Sequence, residues 1–107
     1  MGRMIGLSAG LLLPIALTAA AALAERTGES YALSQACTSC HGIDGRGGGA
    51  IPALAGRPAP DLLDLLHDLR RPDAAMDASA TIMPRLLRGY DDAELEALAA
   101  YFAQVAP

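Results

Sequence analysis

Cys37-Thr38-Ser39-Cys40-His41 constrains this chain more than any other stretch of it. Two thiols three residues apart, with a histidine directly after, form the attachment signature of c-type haem. The spacing has a chemical reason. Cysteines about one helical turn apart each add to one vinyl group of the porphyrin and form a thioether. His41, the next residue, is then held at the iron as the proximal ligand. The chain has two cysteines, and both lie in this motif. Other readings of a C-x-x-C need more than the sequence offers. A structural zinc site takes about four protein ligands, and His67 is the one further candidate. A redox dithiol follows a strand in a βαβ unit, and no alternating strand pattern occurs after residue 24.

The first residues have the form of a secretory leader. Arg3 supplies the positive start, Met4 to Ala21 is an almost unbroken apolar run, and Ala22-Leu23-Ala24 is a small-x-small cleavage site. The expected division is a cleaved signal peptide over 1–24 and a single domain over 25–107. The alternative is a retained N-terminal anchor, since the apolar run approaches the length that spans a bilayer. Pro14, the alanine-rich end of the run and the A-x-A site favour cleavage and a periplasmic location. Cys37 and Cys40 are then not read as a disulfide, although the compartment is oxidising.

Cleavage leaves about 80 residues, a size at which an apolar core alone is marginal. Three tyrosines and one phenylalanine are the only aromatics, so the core is short of bulk. A buried cofactor supplies what is missing. The eight basic residues are all arginine, the formal net charge is −4, and Arg3 leaves with the leader. This acidity argues against nucleic acid and against an anionic membrane surface. The absence of lysine argues against the lysine-ringed docking face of mitochondrial cytochrome c.

The pattern after residue 24 is helical. Ser30 to Cys40 is expected to form a first helix capped by Ser30, with Leu33, Ala36, Cys37 and Cys40 on one face. Gly42 to Pro58 is a glycine-punctuated loop. Pro60-Asp61 opens a second, leucine-rich helix that closes at Arg70-Arg71, and His67 belongs on its polar side. Asp73 to Ala80 is expected to be a loop, and Thr81 to Arg88 a short helical turn ending at Gly89. Asp91-Asp92-Ala93-Glu94 is a capping box that opens a last helix with Leu95, Leu98, Phe102 and Val105 on its buried face.

A second iron ligand has three candidates: Met83, Met76 and His67. Methionine paired with histidine raises the haem potential and suits electron transfer. Met83, just ahead of the last helix, is the favoured one. Pro84 is expected to keep it extended.

Taken together, C-x-x-C-H-G, Asp44-Gly45, Pro52-x-Leu54-x-Gly56, Met83-Pro84 and Leu98-Ala99-x-Tyr101-Phe102 resemble the small all-α cytochromes c, over residues 30 to 104. Ala80-Thr81-Ile82-Met83-x-Arg85-x-x-x-Gly89-Tyr90 looks particularly like the cytochrome subunit of flavocytochrome c sulfide dehydrogenase. Single domains of cytochrome c4 are also similar. The resemblance implies three main helices and a short one around one covalent haem c, with Cys37 and Cys40 as attachment points and His41 and Met83 as axial ligands. It implies that the Pro52 carbonyl accepts a hydrogen bond from His41, that Leu54 packs on the porphyrin, and that Ala32 and Leu33 face Tyr101 and Phe102 where the first and last helices cross. The implied role is one-electron transfer between periplasmic redox partners, with no catalytic residues of its own. Two versions follow: the haem subunit of a flavin-dependent sulfide dehydrogenase, or a free shuttle like c553 or c4. The chain departs from the two-haem members in carrying one C-x-x-C-H. It has no dinucleotide fingerprint, so any flavin belongs to a partner. A haem-based sensor or small-ligand binder is the reading of another class, and the methionine argues against it. Arg46, Arg57, Arg85 and Arg88 either border an exposed haem edge and steer an acidic partner or are ordinary surface charges.

Overall fold

The computed structural model describes residue 2, residues 13–74 and residues 82–107, with the side chains of 13–16, 23 and 24 left aside. The architecture is all-α: α1 (Leu13–His41), a 3-10 turn (Ile43–Gly45), α2 (Ala59–Arg70), α3 (Met83–Leu87) and α4 (Asp92–Gln104). Among the described residues the only extended pairing is a bridge between Gly48 and Ile51. No described helix is long and apolar enough to cross a membrane.

α1 corrects one expectation. It does not start at Ser30 but runs unbroken from Leu13, because the alanine-rich stretch before residue 25 is itself a strong helix former. Ser30 is therefore an interior residue, not a cap. Its hydroxyl donates back to the Arg26 carbonyl at 2.9 Å, the usual resort of a serine inside a helix. Leu17 to Ala22 and Glu25 to Glu29 are exposed, and α1 meets the core from Leu33 onward.

α2 begins one residue before Pro60, with the proline in the first turn, where its missing N–H costs nothing. α4 opens on the expected capping box. Asp91 Oδ1 accepts from the Glu94 amide at 2.8 Å, and Glu94 Oε2 accepts from the Asp91 amide at 2.9 Å. Such a reciprocal cap is worth about 1 kcal/mol.

The core is Leu62 from α2 with Leu98, Ala99 and Phe102 from α4, and Leu33 and Cys37 of α1 pack against it. Leu95 is fully buried, whereas Val105 lies just past the end of α4 in extended backbone. The crossing of α1 and α4 is present with a shift of one residue. Leu33 faces the core, but Ala32 is exposed, and it is the Tyr31 ring that meets Tyr101 edge-on at 6.4 Å. One residue is about 100° of helix rotation, enough to exchange the two neighbours.

The 42–58 loop is drawn tightly onto α4. The amides of Leu54 and Ala55 both donate to the Gly45 carbonyl, at 2.7 and 3.0 Å, and Gly56 N–H donates to Phe102 O at 2.9 Å. Gly45 adopts φ +71°, and a Cβ there would lie 2.6 Å from the Phe102 ring. Glycine is required here on both counts.

Candidate functional site

The end of α1, the loop after it, α2, α3 and α4 enclose an apolar pocket of about 210 Å³. A 150 Å³ cavity in a protein core already accepts benzene, so this is space for a substantial apolar guest. Cys37, Cys40 and His41 line it from α1, and Leu54 from the loop. Leu62 and Leu66 come from α2, Met83 and Leu87 from α3, and Leu98, Ala99 and Phe102 from α4. Both cysteines are free thiols. Cys37 is half-buried, and that burial pushes its thiol pKa up.

His41 is almost fully buried. Its Nδ1 lies 2.7 Å from the carbonyl oxygen of Pro52. A carbonyl only accepts, so Nδ1 carries a proton, which in the neutral ring leaves the lone pair on Nε2. The ring is thereby set in one tautomer and one orientation, the state in which imidazole binds a metal. Pro52 itself is outside the pocket lining, acting from behind the ring through its backbone.

Met83 also lines the pocket, but not in the extended conformation expected ahead of a proline. It is the first residue of α3, with Pro84 second and fully buried. A proline in the first turn has no N–H to satisfy, and this outweighs its bias against a helical predecessor. Met76 and Thr81 lie outside the described residues. His67 is exposed on α2, with Nε2 3.9 Å from Asp92 Oδ1, and does not line the pocket. Of the four arginines singled out, Arg46 is engaged with Asp44 and with the Ala106 carbonyl.

A model of the cytochrome c family matches residues 26–106. The chain belongs to the cytochrome c family. It is also 30% identical, over 92 residues, to the cytochrome subunit of sulfide dehydrogenase from Chlorobaculum tepidum, an alignment that covers 86% of this chain and 78% of that protein. This cytochrome c is accordingly a c-type electron carrier with covalently bound haem c. The pocket fits that group in its donor chemistry: two free thiols, an imidazole with Nε2 available, a thioether, and walls that are otherwise apolar.

The roles of Tyr90 and Arg70 at this site had no marker in the sequence. Tyr90 lines the pocket, and its phenol pKa is raised, first by burial and then by the nearby Cys37 and Glu94. Its carbonyl is held by Arg70, whose Nη1 donates to it at 3.0 Å while Nη2 pairs with Asp92. Among the described residues this is the one hydrogen bond reaching segment 82–90 from elsewhere in the chain. Arg70 thus ties the end of α2 to the segment that carries Met83. The Arg70 guanidinium holds the Asp92 carboxyl below its usual range, first through the hydrogen bond and then by charge. A depressed carboxyl stabilises the fold above its ordinary pKa and loses that contribution as pH falls through the lowered value. Arg70→Leu is expected to lower the stability of the haem-loaded protein by about 1.5 kcal/mol, as for a charged hydrogen bond, in a urea titration. Asp92→Asn, which leaves the Tyr90 contact in place, is expected to cost less.

Proposed function

We propose that this cytochrome c is an exported, periplasmic one-electron carrier with a single haem, and that it serves as the cytochrome subunit of a flavin-dependent sulfide dehydrogenase. Cys37 and Cys40 would hold the porphyrin through thioethers, each S–H adding across one vinyl group. His41 Nε2 and Met83 Sδ would hold its iron. Pro52 sets the orientation of His41, and Leu54 packs on the porphyrin. When bound, the haem supplies reversible one-electron chemistry. The chain's own side chains exclude water around it, which favours the less charged, reduced iron. The observation that carries this reading is the meeting of both thiols, the Pro52-tethered imidazole and the Met83 thioether at one apolar pocket. The exposed run from Leu17 to Ala22 is consistent with a removable leader, because it contributes nothing to the core.

The choice of partner rests on the relative from Chlorobaculum tepidum. A free shuttle is the second reading. It is favoured by Arg85 and Arg88, exposed on and beside α3 and without an ion-pair partner among the described residues, which suit transient, charge-steered encounters.

The test of the site is attachment. Wild-type protein recovered from the periplasm is expected to keep its haem through acid-acetone extraction. Cys37→Ala and Cys40→Ala should each retain at most one thioether by mass spectrometry, and His41→Ala should lose the low-spin spectrum. A folded, haem-free wild type overturns the assignment. The test of the partner is purification from the source at low and at high salt, followed by sulfide-dependent reduction. A subunit stays bound at high salt, since obligate interfaces are apolar. A flavin-free monomer that sulfide and cell extract leave oxidised favours the shuttle.

A further inference from the structure

The segment that carries Met83 is weakly held. α3 is five residues long, well below the length at which a helix is stable by itself. Besides the turn of α3, the backbone bonds of segment 82–90 are local: Arg85 and Leu86 donate to Ile82, Gly89 to Leu86 and Tyr90 to Leu87. Ile82, Arg85, Leu86 and Arg88 are exposed. Pro84 and Leu87 anchor the segment by burial, and burial is non-directional. A stretch with few buried side chains and many exposed ones opens locally at much lower cost than the whole fold.

Arg70 supplies a directional attachment. It is part-buried in the last turn of α2. Its Nη1 donates to the Tyr90 carbonyl at 3.0 Å while Nη2 pairs with Asp92. One planar guanidinium fork thus holds two points of the chain at once. Asp92 belongs to α4, which is fixed by its capping box and by the fully buried Leu95. Tyr90 ends the segment that carries Met83. The fork therefore clamps the joint between a firmly held helix and a weakly held segment. Arg71, the next residue, pairs within its own helix end, with Asp68, and bridges nothing.

We propose that Arg70 is the positioning residue for Met83: its bond to the Tyr90 carbonyl keeps segment 82–90 closed and so limits how often an outside ligand can take the place of the thioether. The proposal rests on the reading of the pocket as the haem site with Met83 as a donor. Its physical basis is a population. A ligand that enters only the open form binds with an affinity reduced by the open fraction. A hydrogen bond made only in the closed form lowers that fraction. The clamp thereby favours a carrier that passes electrons over a protein that captures small molecules.

The test uses the intact haem-loaded protein and imidazole as the outside ligand. Oxidised protein is titrated with imidazole at one fixed pH, and loss of the weak long-wavelength sulfur-to-iron band is followed. Arg70→Leu should bind imidazole about tenfold more tightly than wild type, the factor carried by one charged hydrogen bond. Asp92→Asn keeps the Tyr90 contact but frees the other arm of the fork, and should bind about threefold more tightly, as for a part-exposed ion pair. Leu33→Ala weakens the core at α1, far in the chain from segment 82–90. It should lower the urea midpoint and leave imidazole affinity unchanged. This separates positioning of Met83 from general loss of stability. An Arg70→Leu protein that keeps its helicity but has lost the band before imidazole is added shows the same effect carried to completion. Wild-type imidazole affinity in Arg70→Leu, or an equal gain in Leu33→Ala, overturns the role of Arg70 and leaves the haem site standing. A wild type without the band, or a Met83→Ala protein that retains it, overturns the ligand reading instead.

Discussion

Met83→Ala is expected to abolish the weak long-wavelength sulfur-to-iron band of the oxidised protein and to lower its reduction potential. The thioether is a soft, uncharged donor that favours reduced iron, and its pairing with histidine is what raises the potential of such centres. Axial ligation spans about 0.8 V across haem proteins, so a fall on the order of 0.1–0.3 V is the expected scale. Optical spectroscopy and a potentiometric titration on the same sample measure both effects. Folding should survive, because Met83 is only half-buried and the neighbouring Pro84 and Leu87 keep α3 anchored. Met76→Ala is expected to leave band and potential unchanged. The opposite pattern would transfer the ligand role to Met76.

Phe102→Ala should have the largest effect on stability, about 3–5 kcal/mol. Its ring is nearly fully buried in the α4 core, meets Tyr101 edge-on at 5.2 Å, fills the space beside Gly45 and lines the pocket. A small domain has roughly 5–15 kcal/mol in total, so this one truncation removes a large part of it. Chemical denaturation of the haem-loaded protein is the measurement. Phe102→Leu, which keeps most of the volume, is expected to cost well under half as much. Equal losses for the two would show that the ring is not packing as described.

What the sequence disclosed was the chemistry encoded over a few neighbouring residues. Cys37, Cys40 and His41 are adjacent in the chain, and the Asp91–Glu94 cap closes within one turn. Both are legible because the physics that uses them is local. The leucines of α2 follow the same logic through their periodicity, although Leu65 proves to be exposed. Contacts between distant segments were harder. Nothing around Arg70 announces that it will reach Tyr90, twenty residues on. The start of α1 differs from expectation because the alanine-rich stretch before residue 25 carries the helix on without a break. The choice of Ala32 over Tyr31 was an error of phase on a helix whose face is only weakly marked. Met83 lines the pocket, but in a helical rather than the expected extended conformation. There a rule about the residue before proline met a competing rule about the first turn of a helix.

The missing side chain at Gly45 also acts as a dimensional reference. The Phe102 ring rests against that position, the Gly45 carbonyl holds the amides of Leu54 and Ala55, and two residues earlier the carbonyl of Pro52 holds His41. A methyl at residue 45 therefore does more than strain its own backbone. It displaces a chain of rigid parts whose last member is the imidazole, so that the plane of His41 is gauged, through one ring contact, a short piece of backbone and a few hydrogen bonds, from a distant helix.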